Sequence, residues 1–160
     1  TMQDMDLGRR YHSIYLAGAT FNLLDDDATA SAGLRPIAAH LEPDGVALVP
    51  LMLPMPTRPD ALGTYREHIT DDGSTMRVAV LAEERDEVNR LQIARLHYEL
   101  VEGGAVVDSV ERSWILHWHT QRGFRELAEA AGLSVLAVLD PSGGPAGPQV
   151  DTFVFLLTPA

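Results

Sequence analysis

The segment YHSIYLAGATFNLLDDDATASAGLRPIAAHLEPDGVALVPLML, residues 11–53, contains a strand, a helix and a second strand in succession. Residues 11–18 are a β-branched and aromatic run that is typical of a buried strand. Aspartates that favour a helix start are followed by apolar residues at helical spacing, so we predict an amphipathic helix over residues 26–41. Residues 46–53 are almost continuously apolar, which indicates a strand covered on both faces. This order predicts a right-handed crossover between parallel strands.

The last quarter of the chain shows a similar alternation of helix and strand. Thr120 is a predicted N-cap, an apolar stripe follows it, and Gly132 stands where a C-cap glycine belongs. Residues 133–139 and 152–158 are predicted strands. Because no helix separates them, we expect these two strands to be antiparallel neighbours.

The middle of the chain has a different pattern. Strand-like runs between residues 64 and 118 are separated by turn signals, Asp71-Asp72-Gly73 and Gly103-Gly104, and by a charged hairpin connection at residues 83–89. They predict a three- or four-stranded antiparallel sheet. We therefore predict an α/β core made of residues 1–56 and 119–160, and an antiparallel insertion over residues 57–118.

Composition limits the possible partners and the location of the protein. The chain has 160 residues, 46% of them hydrophobic, and a formal charge of −11. It contains no cysteine and no lysine, and its twelve basic residues are all arginine. A negative field without a clustered basic surface argues against nucleic acid and favours a small neutral or cationic molecule. No apolar run is long enough for a membrane span, and the acidic start TMQDMD does not resemble a signal peptide, so we predict a cytoplasmic protein.

Four motifs carry a resemblance to a known family. They are DMDLGRR at residues 4–10, LAGATFNLL at 16–24, HLEPDG at 40–45, and the helix from Thr120 through FRELAEAAGL to residue 133. In this order the motifs resemble the class I S-adenosylmethionine-dependent methyltransferases. Within that family the chain is most similar to bacterial small-molecule enzymes with an antiparallel lid, such as the sugar N,N-dimethyltransferases of macrolide biosynthesis.

The resemblance implies an α/β fold, the second half of a doubly wound Rossmann-like methyltransferase sheet with an antiparallel β lid insertion. It implies methyl transfer from S-adenosylmethionine to N or O of a small molecule. The family's glycine-rich turn and ribose-binding acid belong to strands that precede the four placed here. We therefore expect a truncated fragment that is inactive or binds the cofactor weakly.

Candidate cofactor contacts follow from the same resemblance. Thr1 and Met2 occupy the adenine-contacting position, for which the alternative is a frayed terminus. The end of the first strand supplies small residues and an aromatic ring that can approach the cofactor: Ala17, Gly18, Thr20 and Phe21. The alternative is that Gly18 and Asn22 only shape a turn while Phe21 belongs to the core.

Candidate acceptor-binding residues are Asn22, Met52, Tyr65 and Trp114, for which core or surface positions are the alternative. The hexad WILHWH, residues 114–119, supplies the candidate catalytic residues, His117 and His119. Strand alternation places the two histidines on one face with Ile115, where one of them can act as a general base. The alternative is a partly exposed pair on a lid strand. A metal needs at least one more ligand, which the spacing does not supply, so no metal site is predicted.

Three hypotheses of function remain open. The first is the methyltransferase. The second is a non-catalytic dimerising or binding module derived from that fold, because the strand at residues 11–18 would present an unpaired edge. This second hypothesis predicts pairing of two copies, and we expect a homodimer through that edge or through the lid. The third, ranked last, is an enzyme that uses the two histidines with a metal.

Overall fold

A computed structural model describes all 160 residues. The chain divides into two compact units, the first formed by residues 1–54 and 117–160 and the second by residues 55–116. The boundaries predicted from the sequence fall two residues away from these. His117 and Trp118, which were assigned to the insertion, belong to the first unit.

Eight strands and two helices follow one another along the chain. In order they are β1 (Tyr11–Tyr15), α1 (Asp27–His40), β2 (Leu41–Met52), β3 (Arg66–Ile69), β4 (Thr75–Asp86), β5 (Leu91–Glu102), β6 (Ala105–His117), α2 (Gln121–Ala130), β7 (Leu133–Leu139) and β8 (Thr152–Pro159). With 14 and 10 residues, the two helices are too short to cross a membrane.

The first unit contains one open four-stranded sheet with the order β1-β2-β8-β7. β1 runs parallel to β2, whereas β8 is antiparallel to both β2 and β7. The predicted parallel pair and the predicted closing antiparallel pair are therefore confirmed, and all four strands lie in one sheet. β1 forms one border of this sheet.

Two strands and two helices bury the core of the first unit. Every second residue along part of β8 has no exposed surface: Phe153, Phe155 and Leu157. The same is true of residues 47, 49 and 51 of β2. The Phe124 ring of α2 packs 4.6 Å from that of Phe155, measured between centroids. Each such buried side chain stabilises the fold by roughly 2 kcal/mol. The side chains on the opposite face of β2 are only half-buried. The continuous apolar run of this strand predicted burial of both faces.

The ends of two elements differ from the prediction. β1 ends at Tyr15 rather than residue 18, because Gly18 adopts φ +62° and turns the chain into a short 3-10 helix, Thr20–Leu23. β2 begins directly after α1, and its register with β1 shifts between Tyr11 and Ser13. The predicted turn before residue 46 is thus an irregular start of the strand.

The second unit is the predicted antiparallel insertion, with four strands in the order β3-β4-β5-β6. β4 and β5 pair along nearly their whole length. The charged segment at residues 83–89 was predicted to be the hairpin connection, but residues 83–86 belong to β4 and pair with residues 91–94 of β5, so only residues 87–89 lie at the tip. Gly103 and Gly104, with φ of 56° and 85°, form the tight turn into β6. β6 is a border strand, and its residues 105–115 are all exposed.

Candidate functional site

The candidate site of the first unit begins where β1 ends. Ala17, Gly18 and Thr20 are exposed in the loop that follows the strand. The carboxyl ends of parallel strands are the usual ligand-binding edge of open α/β sheets. A Cβ atom at Gly18 would meet nothing within 4 Å, so glycine is favoured there by its positive φ and not by a close approach of other atoms.

Phe21 and Asn22 follow this loop and are both completely buried. The Phe21 ring packs edge-on against Phe124, with 5.1 Å between centroids, and lies 5.8 Å from His119. No surface of Phe21 is open to a ligand, which agrees with its alternative role in the core. Direct contact of Phe21 with the cofactor stays a prediction that this packing does not support.

The Asn22 side chain connects two distant segments of the first unit. Its Nδ2 donates hydrogen bonds of 3.0 Å to the carbonyl oxygens of Met52 and His117, and its Oδ1 accepts one of 3.1 Å from the Met52 amide. This amide group therefore fixes the end of β2 against the end of β6. Contact of Asn22 or Met52 with an acceptor molecule remains a prediction.

His117 and His119 lie together, as the sequence predicts, but they are buried. Each residue is 1% exposed, and their ring centroids are 4.4 Å apart at an interplanar angle of 73°. The alternative of a partly exposed pair is therefore wrong. Residues 116–119 are all buried, so the predicted sorting of alternate residues onto two faces fails where the strand ends.

Asp27 is the acidic member of this cluster. Its Oδ1 lies 3.6 Å from His117 Nε2 and 3.7 Å from His119 Nδ1, and its side chain is 54% exposed. The three ligand-type atoms lie within 4.8 Å of one another, so the cluster has the geometry of a potential metal-binding group. The sequence predicts only a helix-starting role for Asp27, because nothing in residues 114–119 points to position 27.

The amino end of α1 positions Asp27. Asp26 is the N-cap, and its Oδ1 accepts a 2.6 Å hydrogen bond from the Thr29 amide. This backbone bond is the largest cause that lowers the pKa of Asp26 below its ordinary value. The capped helix end holds Asp27 at its first position, beside the two imidazoles.

The amino-terminal segment is docked on α1. The Met2 side chain packs against the core beside Gly33, and His40 Nε2 accepts a 2.9 Å hydrogen bond from the Leu7 amide. His40 Nδ1 in turn lies 2.7 Å from the Pro36 carbonyl, so the ring carries its proton on that nitrogen. Thr1 is exposed, whereas the packing of Met2 on the core does not agree with a frayed terminus. Contact of either residue with adenine stays a prediction.

Tyr65 and Trp114, the other candidate acceptor contacts, belong to the second unit. The Tyr65 hydroxyl lies 2.6 Å from His97 Nδ1 and donates a 3.1 Å hydrogen bond to Glu99. Desolvation, followed by this bond to Glu99, raises the pKa of Tyr65. Trp114 is 49% exposed on β6. Substrate contact by either residue remains a prediction.

No family model matches the chain. The chain is 29% identical over 149 residues to the dTDP-3-amino-3,6-dideoxy-alpha-D-glucopyranose N,N-dimethyltransferase of Streptomyces fradiae, a match that covers 91% of the chain and 54% of that protein.

Solved structures resemble the whole chain. It aligns with an S-adenosylmethionine-dependent methyltransferase from Clostridium acetobutylicum at a TM-score of 0.75 and 12% identity, over 100% of this chain and 63% of that one. It also aligns with an amino pentose methyltransferase of calicheamicin biosynthesis from Micromonospora echinaspora, solved with S-adenosylmethionine bound, at a TM-score of 0.67 and 18% identity, over 100% of this chain and 63% of that one.

The fold is therefore that of the S-adenosylmethionine-dependent methyltransferases, and the resemblance predicted from the sequence is confirmed. The chain spans between 54% and 63% of the length of these relatives.

Proposed function

We propose that the protein transfers a methyl group from S-adenosylmethionine to a nitrogen or oxygen atom of a small molecule. The observation that carries this proposal is the cluster of His117, His119 and Asp27, two buried imidazoles beside a half-exposed carboxylate, in a chain with the methyltransferase fold. Because the chain spans little more than half of its curated relative, the activity is proposed for the whole protein.

An amine of an amino sugar is the acceptor class that the similar proteins favour. The relative from Streptomyces fradiae is an N,N-dimethyltransferase of an amino sugar nucleotide, and the similar structure from Micromonospora echinaspora is an amino pentose methyltransferase.

The proposed chemistry is an in-line displacement. The cofactor supplies an activated methyl group; the acceptor lone pair forms the new bond to carbon while the bond from carbon to sulfur breaks. Alignment in a dry site supplies most of the acceleration. Because both imidazoles are 1% exposed, the half-exposed Asp27 carboxylate is the group of this cluster that an acceptor can reach. The proton that the acceptor loses passes by way of Asp27 to one of His117 and His119, and Asp27 stabilises the imidazolium that forms.

The exposed loop after β1 is the part of this chain that fits the cofactor. Ala17, Gly18 and Thr20 present accessible backbone at the ligand-binding edge of the sheet, whereas the buried Phe21 does not. We expect these 160 residues to bind the cofactor weakly through this loop. Isothermal titration of the chain with S-adenosylhomocysteine tests this affinity.

The role of the histidines is tested by substitution. His117→Gln and His119→Gln are each made in the whole protein and assayed by mass spectrometry with amino-sugar acceptors. Replacement of the histidine that acts as the base should lower kcat about 100-fold, with little change in KM. The other histidine should show a smaller effect. The pH dependence of kcat should flatten only in the variant that lacks the base.

His12→Gln is the matched control, because His12 is an exposed histidine on β1, with 66% of its side chain accessible. It should retain full activity. Circular dichroism must show that the two buried variants remain folded. Folded His117 and His119 variants that methylate at the parent rate would remove the proposed base, and a whole protein without transferase activity would remove the proposed function.

Self-association is proposed as well, through the exposed edge of β1 or through the insertion. The border position of β1, on which Tyr15 is 76% exposed, supports this proposal and also the alternative of a non-catalytic binding module. A cytoplasmic location stays a prediction from the sequence.

A further inference from the structure

The cluster of Asp27, His117 and His119 has the ligand composition of a metal site. Sequence spacing places only the two histidines together, and a metal needs at least one more ligand. The fold supplies that ligand, because the amino end of α1 brings the Asp27 carboxylate beside both imidazoles. Two imidazoles and one carboxylate are a set of ligands that zinc and similar divalent transition metals bind in proteins.

The distances between the three side chains suit a single ion. Asp27 Oδ1 lies 3.6 Å from His117 Nε2 and 3.7 Å from His119 Nδ1, and the ligand atoms of the three residues all lie within 4.8 Å of one another. Tetrahedral zinc, with bonds of about 2.0–2.1 Å, holds its ligand atoms roughly 3.3–3.4 Å apart. The two distances from Asp27 exceed this spacing by a few tenths of an ångström, so small side-chain rotations bring the atoms to bonding distance.

The protein holds these ligands in place by other contacts. Asp27 is the first residue of α1. The His117 carbonyl accepts a 3.0 Å hydrogen bond from Asn22 Nδ2, which fixes the end of β6. The His119 ring packs against Phe124, with 6.0 Å between centroids. A set of ligands that is already assembled lowers the cost of ordering them when an ion binds.

The position of Asp27 gives an ion access to the cluster. The Asp27 side chain is 54% exposed, whereas each imidazole is buried. An ion can therefore enter from the side of Asp27 and keep a water molecule as its remaining ligand. Asp25 and Asp26 are exposed beside this entrance, and their negative charge attracts a divalent cation.

We propose that Asp27, His117 and His119 form a reversible binding site for one zinc ion. The two imidazole nitrogens select zinc over magnesium and calcium, which prefer sites made of oxygen atoms. The site goes beyond the proposed function, because methyl transfer from S-adenosylmethionine needs no metal at this position.

Zinc at this site would compete with the proposed route of the proton. A histidine nitrogen coordinates a metal through the same lone pair that accepts a proton. Zinc bound to the cluster therefore blocks proton transfer from the acceptor and inhibits methyl transfer reversibly. This consequence rests on the proposed function, whereas the metal site itself does not.

Zinc binding is measured directly by isothermal titration of the whole protein after treatment with a chelator. The parent should bind zinc at this site, and magnesium should give no comparable binding. Asp27→Asn removes the charged ligand but leaves the Asp26 cap intact, and it should raise the zinc dissociation constant at least about 100-fold, more than loss of a supporting group usually does. Asp25→Asn is the matched control, since it removes an equal charge beside the same helix end; it should bind zinc as the parent does.

A second group of side chains provides the alternative site. His12, Glu42 and Asp44 also bring ligand atoms together, but His12 is exposed on β1. His12→Gln should bind zinc with the affinity of the parent. Zinc binding that is lost in this variant and retained in Asp27→Asn would overturn the inference.

X-ray absorption spectroscopy of the zinc-loaded protein identifies the ligands without substitution of the buried histidines. The spectrum should show two imidazole nitrogens together with oxygen ligands, at bond lengths of about 2.0–2.2 Å. A zinc ion with oxygen ligands alone would contradict the proposed site.

The outcomes separate the metal site from the enzymatic proposal. A protein that does not bind zinc, or whose Asp27→Asn variant binds it unchanged, overturns the inference and leaves methyl transfer intact. With the site confirmed, saturating zinc should abolish methyl transfer, magnesium should not, and a chelator should restore it. Full activity with zinc bound would overturn the proposed proton route instead.

Discussion

Gly45 has the tightest surroundings of any glycine in the chain. A Cβ atom there would lie 2.9 Å from the Tyr11 carbonyl and 3.0 Å from backbone atoms of Glu42. These contacts are with backbone, which cannot rotate away as a flexible side chain can. The absence of a side chain is therefore what lets the start of β2 approach β1 closely.

Gly45→Ala is expected to lower the free energy of unfolding by about 1–3 kcal/mol, because the added methyl group forces the two strands apart. Urea denaturation followed by circular dichroism measures the change. Gly147→Ala is the matched control, since its Cβ atom would meet only Val150 at 4.0 Å. Equal effects of the two substitutions would contradict this account.

The elements differ in how directly local sequence specifies them. α1 begins at the Asp26 cap and continues through Pro36, a residue that removes one helix hydrogen bond. The packing of Leu34 and Ile37 in the core retains the helix despite this loss. α2 has a cap at each end, the Thr120 side chain and Gly132 with φ +83°. Its predicted limits are accordingly confirmed.

The Asp26 cap makes part of the stability depend on pH. The Thr29 amide bond lowers the pKa of Asp26 in the folded chain. The stabilisation is therefore present above the pKa of the unfolded chain and is lost as the pH falls through the lower folded value, between about pH 5 and pH 2. Asp26→Asn keeps an acceptor at the cap and should show a smaller loss of stability over this range.

Unfolding of both chains by urea at a series of pH values measures this difference. Asp25→Asn is the control, because it removes a charge beside the same helix end and leaves the Asp26 cap intact. The parent dependence on pH should persist in that variant. A steep loss of stability below pH 5 in the Asp26 variant, equal to that of the parent, would show that the cap is not responsible.

At the scale of the whole molecule, the buried core is concentrated in one unit. Every residue of the buried core cluster belongs to the first unit. All of them lie on α1, α2 or the sheet except Phe21, which lies on the short 3-10 helix. The second unit buries fewer large side chains, and β3 is exposed along its whole length. Local opening should therefore cost least free energy in the second unit.

Native-state hydrogen exchange tests this difference. Amides at the centre of β2 and β8 should exchange most slowly, and those of β3 should exchange fastest among the strands. Equal protection of β3 and β8 would contradict the assignment of the stable core to the first unit.

Much of the fold was predictable because its signals are local. The turn glycines at positions 103 and 104, the cap at Thr120 and the apolar run of β2 each act on their own neighbours. The same reasoning missed the early end of β1 and the exposure of residues 105–115 of β6. Those depend on a single φ angle and on which strands lie next to one another.

The candidate site was only partly predictable for the same reason. The neighbouring histidines could be found at positions 117 and 119, but their burial, and the presence of Asp27 within 4 Å, depend on segments about 90 residues apart in sequence. Asn22 and Phe21 were named as ligand contacts from their place after a strand. Their burial gives them structural contacts that local sequence does not reveal.

The sequence by itself determined the order of strands and helices, the antiparallel insertion and the resemblance to methyltransferases, because periodicity, caps and turns act over a few residues. Only the tertiary structure decided which side chains meet: Asp27 with the two histidines, Asn22 with the ends of β2 and β6, and β6 as an exposed border. Such meetings arise from packing between distant segments, which no local pattern encodes.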